Sequence, residues 1–188
     1  MLRPTPDDRN LYPPLVVFGA VPMKRKGFVL RFAVLLPLGF LLVVLPAVQT
    51  HVLQPFTQWL AVASAALLGA IGHEVSRVGT IISSPTFAVD IRNGCNGVEA
   101  ALILVAAILA APASWKNKLI GVFGGFVVLQ AVNLVRISSL YLLGFYNRDL
   151  FDLFHSAVWQ VLIILVAFGI FVFWSLKIAK GRDVAAAA

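Results

Sequence analysis

The chain has 188 residues, of which 60% are hydrophobic and 12% are charged, and its mean hydropathy is +0.93. These values exclude an ordinary soluble globular domain and indicate an integral membrane protein in contact with the lipid bilayer. The formal net charge is +7, but most basic residues flank apolar runs, where they act as topology signals. Nucleic acid is therefore not expected as a partner.

The first part of the chain, residues 1–22, is rich in proline and charge, and it is predicted to be poorly ordered. Met23 is followed by a basic cluster and an apolar run, so we expect the natural translation start there. Residues 24–178 are predicted to form a single transmembrane domain, and residues 179–188 a cytoplasmic tail.

The apolar runs predict the membrane spans. A transmembrane helix needs about 17 to 25 mostly apolar residues, and a fifth, weaker candidate, Thr57–Gly72, falls just short of this. The predicted fold is therefore an all-α polytopic membrane protein, a bundle of four to five transmembrane helices. The four stronger candidates are Phe32–Val48, Val98–Ala113, Leu119–Phe145 and Ser156–Leu176.

Lysine and arginine collect in three groups, at residues 24–31, 116–118 and 177–182, and all three are expected on the cytoplasmic side. A full crossing by Thr57–Gly72 would force one group outside, so this segment is predicted to lie on or dip into the outer leaflet. In the alternative, it does cross, and Pro112 breaks the next run into a re-entrant hairpin. Either way, we expect a multi-pass protein of the inner, or cytoplasmic, membrane.

A β-branched stretch with alternating polarity precedes the only cysteine of the chain, Cys95. It predicts a small extracytoplasmic β-hairpin with strands Val78–Ile82 and Thr86–Ile91. A single cysteine allows no internal disulfide, so Cys95 carries no information about redox compartment.

Polar residues inside predicted spans are informative, because a charge at the bilayer centre costs at least about 2.5 to 3.5 kcal/mol. They are Glu99, Asn133 and Arg136, with His155 at the start of the last span. Counted at about 1.5 Å per residue from Leu119, Arg136 lies about 26 Å along its helix, near the outer boundary of the hydrocarbon core. Cys95, Arg136 and His155 are therefore expected at one level, on the extracytoplasmic side.

These three side chains provide the groups needed for cysteine-based acyl transfer. A thiol just before a helix N-terminus is expected to be stabilised as the thiolate. His155 is suited to carry a proton near neutral pH, and Arg136 to stabilise the thiolate or an oxyanion. Gly94 and Gly97 allow backbone or a bound peptide to approach closely.

Each residue also has a simpler interpretation. Cys95 alone is more often an inert small hydrophobe, Arg136 alone a residue snorkelling to the interface, and His155 alone an interfacial residue. His51 and His73 are competing bases with no visible tie to the cysteine.

Four further residues are candidate supporting groups. Glu99 is expected either to orient His155 or Arg136 or only to support packing. Asn133 shares a helical face with Arg136. Asn93 and Asn96 are expected either to shape and cap the turn or to donate to an oxyanion. No cofactor is expected, and no clustered His, Asp and Glu set suggests a metal site.

Three motifs in this order resemble the exosortase/archaeosortase family of membrane transpeptidase-like enzymes. They are "NGCNGVEA", "NLVRISSLYL" and "FDLFHSAVW", and the resemblance covers about residues 24–178. It implies a catalytic triad of Cys95, Arg136 and His155. The short chain looks most like a compact member, such as the exosortase H type.

The resemblance implies that the substrates are exported proteins with a C-terminal motif, a membrane helix and a basic cluster. Cleavage near the motif through a thioester on Cys95 would be followed by transfer to an acceptor nucleophile that the sequence does not identify. Two alternatives stay open: an intramembrane protease that uses water, and a non-enzymatic transport or assembly subunit in which Arg136 and Glu99 form a buried pair.

Overall fold

The computed structural model describes residues 25–187, with side chains for residues 26–178. The predicted disordered segment 1–22 and the predicted start at Met23 lie outside this range. The elements in chain order are α1 (Arg25–Val43), α2 (Pro46–Val48), a π-helical turn (Gln49–Leu53), α3 (Gln54–Ala70), β1 (Ser76–Val78), β2 (Ile81–Ser83), β3 (Ala88–Asp90), α4 (Val98–Ala110), α5 (Trp115–Tyr146), α6 (Arg148–Leu153), a second π-helical turn (Phe154–Val158) and α7 (Trp159–Ala187).

Helical stretches dominate the structure and confirm the prediction of an all-α polytopic membrane protein. Within the described part of the chain, four are long and apolar enough to cross a membrane, and a shorter apolar helix, Val98–Ala110, accompanies them. The four are Lys26–Val43, Pro46–Ala70, Trp115–Tyr146 and Arg148–Ile178.

Two prolines end helices earlier than the hydropathy pattern predicts. Leu45 is extended (φ −64°, ψ 131°) because Pro46 follows it, so the run predicted as Phe32–Val48 is interrupted after Val43. Ala111 is extended (φ −69°, ψ 146°) before Pro112, so α4 has 13 residues and is about 20 Å long. The predicted span Val98–Ala113 is therefore too long, and α4 is shorter than the roughly 30 Å hydrocarbon core.

The weaker candidate Thr57–Gly72 belongs to a 25-residue helical stretch, Pro46–Ala70. Its sequence-based description as a short segment is therefore wrong. Near the start of α3, the ring of Phe56 contacts that of Phe126 of α5, with centroids 5.9 Å apart. Just beyond the end of α3, the ring of His73 contacts that of Phe145 of α5, with centroids 5.7 Å apart. α3 therefore runs in the same direction as the second half of α5. The expectation that the segment 57–72 does not cross the membrane stays a prediction.

The expected hairpin is a three-stranded antiparallel meander in the order β1-β2-β3. Val78 pairs with Ile81, so the chain turns at Gly79 and Thr80, inside the stretch predicted as the strand Val78–Ile82. Gly79 has φ +61°, a left-handed conformation that favours glycine. That predicted strand is wrong. The predicted strand Thr86–Ile91 contains β3.

The last two long helices reverse direction at a single residue. Asn147 is extended, and its side-chain oxygen accepts a hydrogen bond from the Leu150 N–H at 3.1 Å, so it caps α6. The predicted loop before His155 is thus mostly helical. The chain continues through the π-helical turn into α7, which reaches Ala187 and includes most of the predicted tail.

The described residues of the three basic groups lie near one end of the bundle, which the topology argument requires. Phe28 of α1 stacks on Phe171 of α7 at 6.1 Å, and Trp174 of α7 donates to the Asn117 carbonyl at 3.0 Å. Lys118 differs from a solvated topology signal, because it is 8% exposed and donates to the Leu109 carbonyl at 2.7 Å. The ammonium group of Lys118 thereby pairs with one of the last carbonyls of α4, where a positive charge interacts favourably with the helix dipole.

The tryptophans and tyrosine near span ends divide into two groups. Trp59, Trp115 and Tyr146 are exposed, as expected for interface anchors. Trp174 is 9% exposed, because its indole packs where Gly121 of α5 lacks a side chain. A tryptophan at this place near a span end is typical of an interface anchor, but Trp174 instead serves helix–helix packing, which small residues allow in membranes.

This contact predicts different effects for two nearby glycines. Ala at Gly121 would collide with the Trp174 indole, whereas Ala at Gly124 meets nothing within 4 Å. We expect Gly121→Ala to destabilise the protein by about 1 to 3 kcal/mol, and Gly124→Ala to stabilise it slightly through helix propensity. Thermal unfolding in detergent measures both, and equal melting temperatures would contradict the Trp174 contact.

Candidate active site

The loop between β3 and α4 carries the only cysteine. Gly94 (φ +87°) and Gly97 (φ +74°) flank Cys95 in left-handed conformations, which explains two of the glycines in "NGCNG". The Cys95 N–H donates to the Arg92 carbonyl at 2.9 Å and closes the turn. The thiol is half-buried against an apolar cluster that includes Leu60 and Ile82.

His155 lies beside the thiol. The distances from Cys95 Sγ to His155 Nδ1 and Nε2 are 3.8 and 3.9 Å, so either ring nitrogen can face the sulfur. The imidazole stacks on Phe151, with centroids 5.3 Å apart and an interplanar angle of 5°. His155 belongs to the π-helical turn Phe154–Val158, and such turns occur frequently at functional sites.

Arg136 is 2% exposed and reaches the same loop from α5. Its Nη2 donates to the Gly94 carbonyl at 3.2 Å and, over a longer 3.5 Å, to Gln160 Oε1. Its Nε is buried without a partner. The guanidinium therefore lies next to the cysteine loop and keeps at least one donor free.

Glu99 binds the backbone of Gly94 as well, at its N–H. Its Oε1 accepts a hydrogen bond from the Gly94 N–H at 2.9 Å. The backbone of Gly94 is thus bound by an acidic residue at its N–H and by Arg136 at its carbonyl. Of the roles left open for Glu99, the structure shows support of the cysteine loop.

Asn93 and Asn96 connect the loop to the helical stretch Pro46–Ala70. Asn93 Nδ2 donates to Gln49 Oε1 at 2.9 Å, and Asn96 Nδ2 donates to Thr57 Oγ1 at 3.1 Å and to Asn93 Oδ1 at 3.4 Å. Asn96 Oδ1 also accepts from the Val98 N–H at 3.2 Å, at the start of α4. Their amides are used to shape and cap the turn rather than left free for an oxyanion.

Asn133 is fully buried and packs against Gly97. A side chain at Gly97 would lie 3.0 Å from Asn133 Cγ, so the close approach of the loop to α5 requires a glycine here. Asn133 Nδ2 donates to Gln130 Oε1 at 3.3 Å, while Asn133 Oδ1 and Gln130 Nε2 are buried without partners. Asn133 of α5 therefore supports the cysteine loop by packing against Gly97.

The comparison with protein-family models identifies the family. The model of the transmembrane exosortases matches residues 9–174. The chain belongs to the transmembrane exosortase family. Exosortases are membrane-embedded sorting transpeptidases that act on exported proteins with C-terminal sorting signals. No curated protein and no solved structure matches the chain.

The environment of the thiol differs from the sequence-based expectation for this exosortase. Burial raises the pKa of Cys95, and the positive charge of Arg136 opposes this rise only in part. Cys95 precedes the N-cap residue Gly97, and the Val98 N–H already donates to Asn96. The expectation that the helix N-terminus stabilises the thiolate is therefore not met, because burial, the largest effect on this pKa, favours the protonated thiol.

The structure also brings in groups that the sequence analysis did not single out. Gln160 contacts Arg136, and Gln130 contacts Asn133. Gln130 lies three residues before Asn133, and this helical spacing was an available signal. Gln160 lies 24 residues from Arg136, and no sequence pattern near either residue predicts their contact.

The competing histidines lie elsewhere. His51 lies in the first π-helical turn, and His73 packs edge-on against Phe145 and Tyr146. In residues 25–187, no group of three or more His, Cys, Asp or Glu residues could hold a metal ion.

The raised pKa predicts how the sole cysteine reacts with maleimide. Only the thiolate reacts with maleimide. The labelling rate should therefore reach half of its maximum at a pH above the ordinary cysteine pKa of about 8.5. Arg136→Gln removes the charge that lowers this pKa, so the midpoint should rise further. A rise of one pKa unit slows labelling at neutral pH about tenfold.

Two control variants test the role of charge. Arg136→Lys keeps the positive charge and should shift the midpoint less than Arg136→Gln. Arg92→Gln removes a fully exposed charge that pairs with Asp90 and should leave the profile nearly unchanged. A midpoint below that of a free thiol would contradict this view of the site.

Proposed function

We propose that this exosortase cleaves C-terminal sorting signals through a thioester on Cys95, with His155 as proton carrier and Arg136 as the stabilising cation. The observation that carries the proposal is the contact of the sole cysteine with His155 at 3.8 Å, beside the peptide that Arg136 holds. Nucleophile and base within reach of each other are the signature of nucleophilic catalysis.

The first step is proton transfer. The Cys95 thiol gives its proton to His155, and the resulting imidazolium–thiolate pair is stabilised by the adjacent guanidinium. A buried thiol with a raised pKa needs this base, because little thiolate exists at rest. Phe151 holds the imidazole plane by stacking.

Bond exchange follows. Sγ attacks the carbonyl carbon of the scissile peptide bond, and the carbonyl oxygen becomes an oxyanion near Arg136. The carbon–nitrogen bond then breaks, His155 gives its proton to the departing amine, and a thioester to Cys95 remains. The guanidinium of Arg136, which already binds the Gly94 carbonyl beside the thiol, supplies the donor for the oxyanion.

A second nucleophile completes the cycle. An acceptor attacks the thioester carbonyl, its proton passes to His155, and the same proton returns to Sγ as the product leaves. The acceptor is a nucleophilic group outside this chain. Water in its place gives hydrolysis, the outcome of a plain protease.

The orientation of the site rests on the distribution of charge. Arg31, Lys118 and Lys177 belong to the basic groups at one end of the bundle, which the positive-inside rule assigns to the cytoplasm. The sheet and Cys95 lie toward the other end. We propose the inner membrane as the location and the extracytoplasmic face as the side of the reaction.

The hydrogen bonds of Glu99 and Arg136 favour the enzymatic proposal over the non-enzymatic alternative. The non-enzymatic alternative requires Glu99 and Arg136 to form a buried pair, whereas among the described side chains Glu99 binds the Gly94 N–H and Arg136 binds the Gly94 carbonyl and, at 3.5 Å, Gln160. Two charged residues are thus committed to positioning the backbone beside a thiol, which a transport or assembly subunit does not need.

The roles predict the behaviour of three variants. The exosortase is co-expressed with a co-encoded exported protein that ends in a membrane helix and a basic cluster, and processing is followed by the loss of mass on gels. Cys95→Ala should abolish processing, and His155→Gln should slow it by about 100-fold or more. His73→Gln, which changes a histidine away from the thiol, should process normally. Processing by a folded Cys95→Ala protein would disprove the mechanism.

The fate of the thioester is a separate prediction. We expect mass spectrometry of the processed protein to find an added group on its new C-terminus, because the family is one of transpeptidases. In the same assay, hydroxylamine should divert the product to the hydroxamate. A free carboxylate in the absence of hydroxylamine would indicate hydrolysis instead.

A further inference from the structure

A groove lies between the end of the sheet and the start of the last helical stretch. It has a volume of about 510 Å³, within the usual range for ligand sites. Its sheet side is residues 84–88, and its helix side is Arg148, Phe151 and Asp152. Phe87 and Phe151 contact each other with centroids 5.7 Å apart, so the groove is partly apolar, with a charged rim.

The sheet side of the groove consists of the β2–β3 turn and Ala88, the first residue of the edge strand β3. In the meander β3 pairs only with β2, so its second edge is open within the described structure. The Ser84 N–H donates to the Phe87 carbonyl at 2.8 Å and the Ile91 N–H to the Thr80 carbonyl at 3.1 Å. Because antiparallel pairs alternate, Ala88 and Asp90 direct their backbone groups away from β2.

The groove adjoins the candidate active site through residues on both of its sides. On the sheet side, β3 ends at Asp90 and the chain leads within five residues to Cys95. On the helix side, Phe151 stacks on His155, so one aromatic ring separates the groove from the imidazole. A chain bound along β3 would therefore lie next to the loop that carries the thiol.

We propose that this groove binds an extended peptide of the substrate, the segment next to the cleaved bond, as a strand added to β3. This inference rests on the proposed function. Main-chain hydrogen bonds to Ala88 and Asp90 supply affinity, as in other cases of strand addition. Side chains alternate between the Phe87–Phe151 contact and the rim of Arg148 and Asp152, and the groove thereby selects the sequence of the sorting motif.

The outward donor of Ala88 gives a direct kinetic test. Ala88→Pro removes this N–H but none of the β2–β3 hydrogen bonds, and proline is tolerated at such edge positions. We expect KM for the exported protein of the processing assay to rise about three- to tenfold, as loss of one hydrogen bond implies. Both kcat and the maleimide reactivity of Cys95 should stay unchanged.

The opposite edge of the sheet provides a matched control. Arg77 of β1 lies between the paired residues Ser76 and Val78, and the same alternation directs its N–H away from β2. Arg77→Pro should leave KM unchanged. Equal KM increases in Ala88→Pro and Arg77→Pro, or no increase in either, would count against binding at β3.

Cross-linking tests the site without catalysis. Single cysteines are placed in turn along the residues that precede the membrane helix of the exported protein, and Thr86→Cys is introduced into the Cys95→Ala exosortase. Under oxidising conditions we expect disulfides with Thr86→Cys at alternate substrate positions and none with Arg77→Cys. Absence of cross-links at Thr86→Cys, or equal cross-linking at both positions, overturns the proposal.

The two hypotheses fail separately. If Cys95→Ala abolishes processing but no cross-link forms at Thr86→Cys, the mechanism stands and the groove is rejected. If folded Cys95→Ala still processes its partner, the mechanism fails whatever the cross-links show.

Discussion

The two hydrogen bonds to the backbone of Gly94 are the contacts on which the candidate site depends. Glu99 accepts from its N–H and Arg136 donates to its carbonyl, so two costly charges inside a membrane protein are used on adjacent backbone groups. Hydrogen bonds to charged groups contribute about 1.5 to 3 kcal/mol each. They fix the loop that carries Cys95 against α4 and α5, and the thiol thereby reaches His155.

Several helices of the bundle support this loop. Gly97 allows contact with Asn133 of α5, and Asn93 and Asn96 bind the helical stretch Pro46–Ala70. The single-residue reversal at Asn147 brings α6 and the second π-helical turn back toward the loop, with His155 on that turn. Each element of the site is thus held by packing or hydrogen bonds outside it, as preorganisation requires.

A half-buried thiol next to a base and a fixed cation has a particular chemical consequence. Desolvation favours the neutral thiol, so the nucleophile is inactive until His155 takes its proton. Such a thiol is less exposed to adventitious oxidation than a permanent thiolate. Substrate that excludes water from the site would strengthen the interaction between thiolate and guanidinium, since electrostatic effects grow as the local dielectric falls.

The sequence by itself determined the class of protein, most of the long helices and the three candidate residues, because hydropathy, proline and residue chemistry act locally. Only the tertiary structure decided the burial of Trp174, the contact between Cys95 and His155, and the raised pKa of Cys95. These depend on contacts between residues far apart in the chain, such as Asn117 with Trp174, or on the balance between burial and a neighbouring charge. Neither leaves a periodic signal in the sequence, and both follow from how the helices pack.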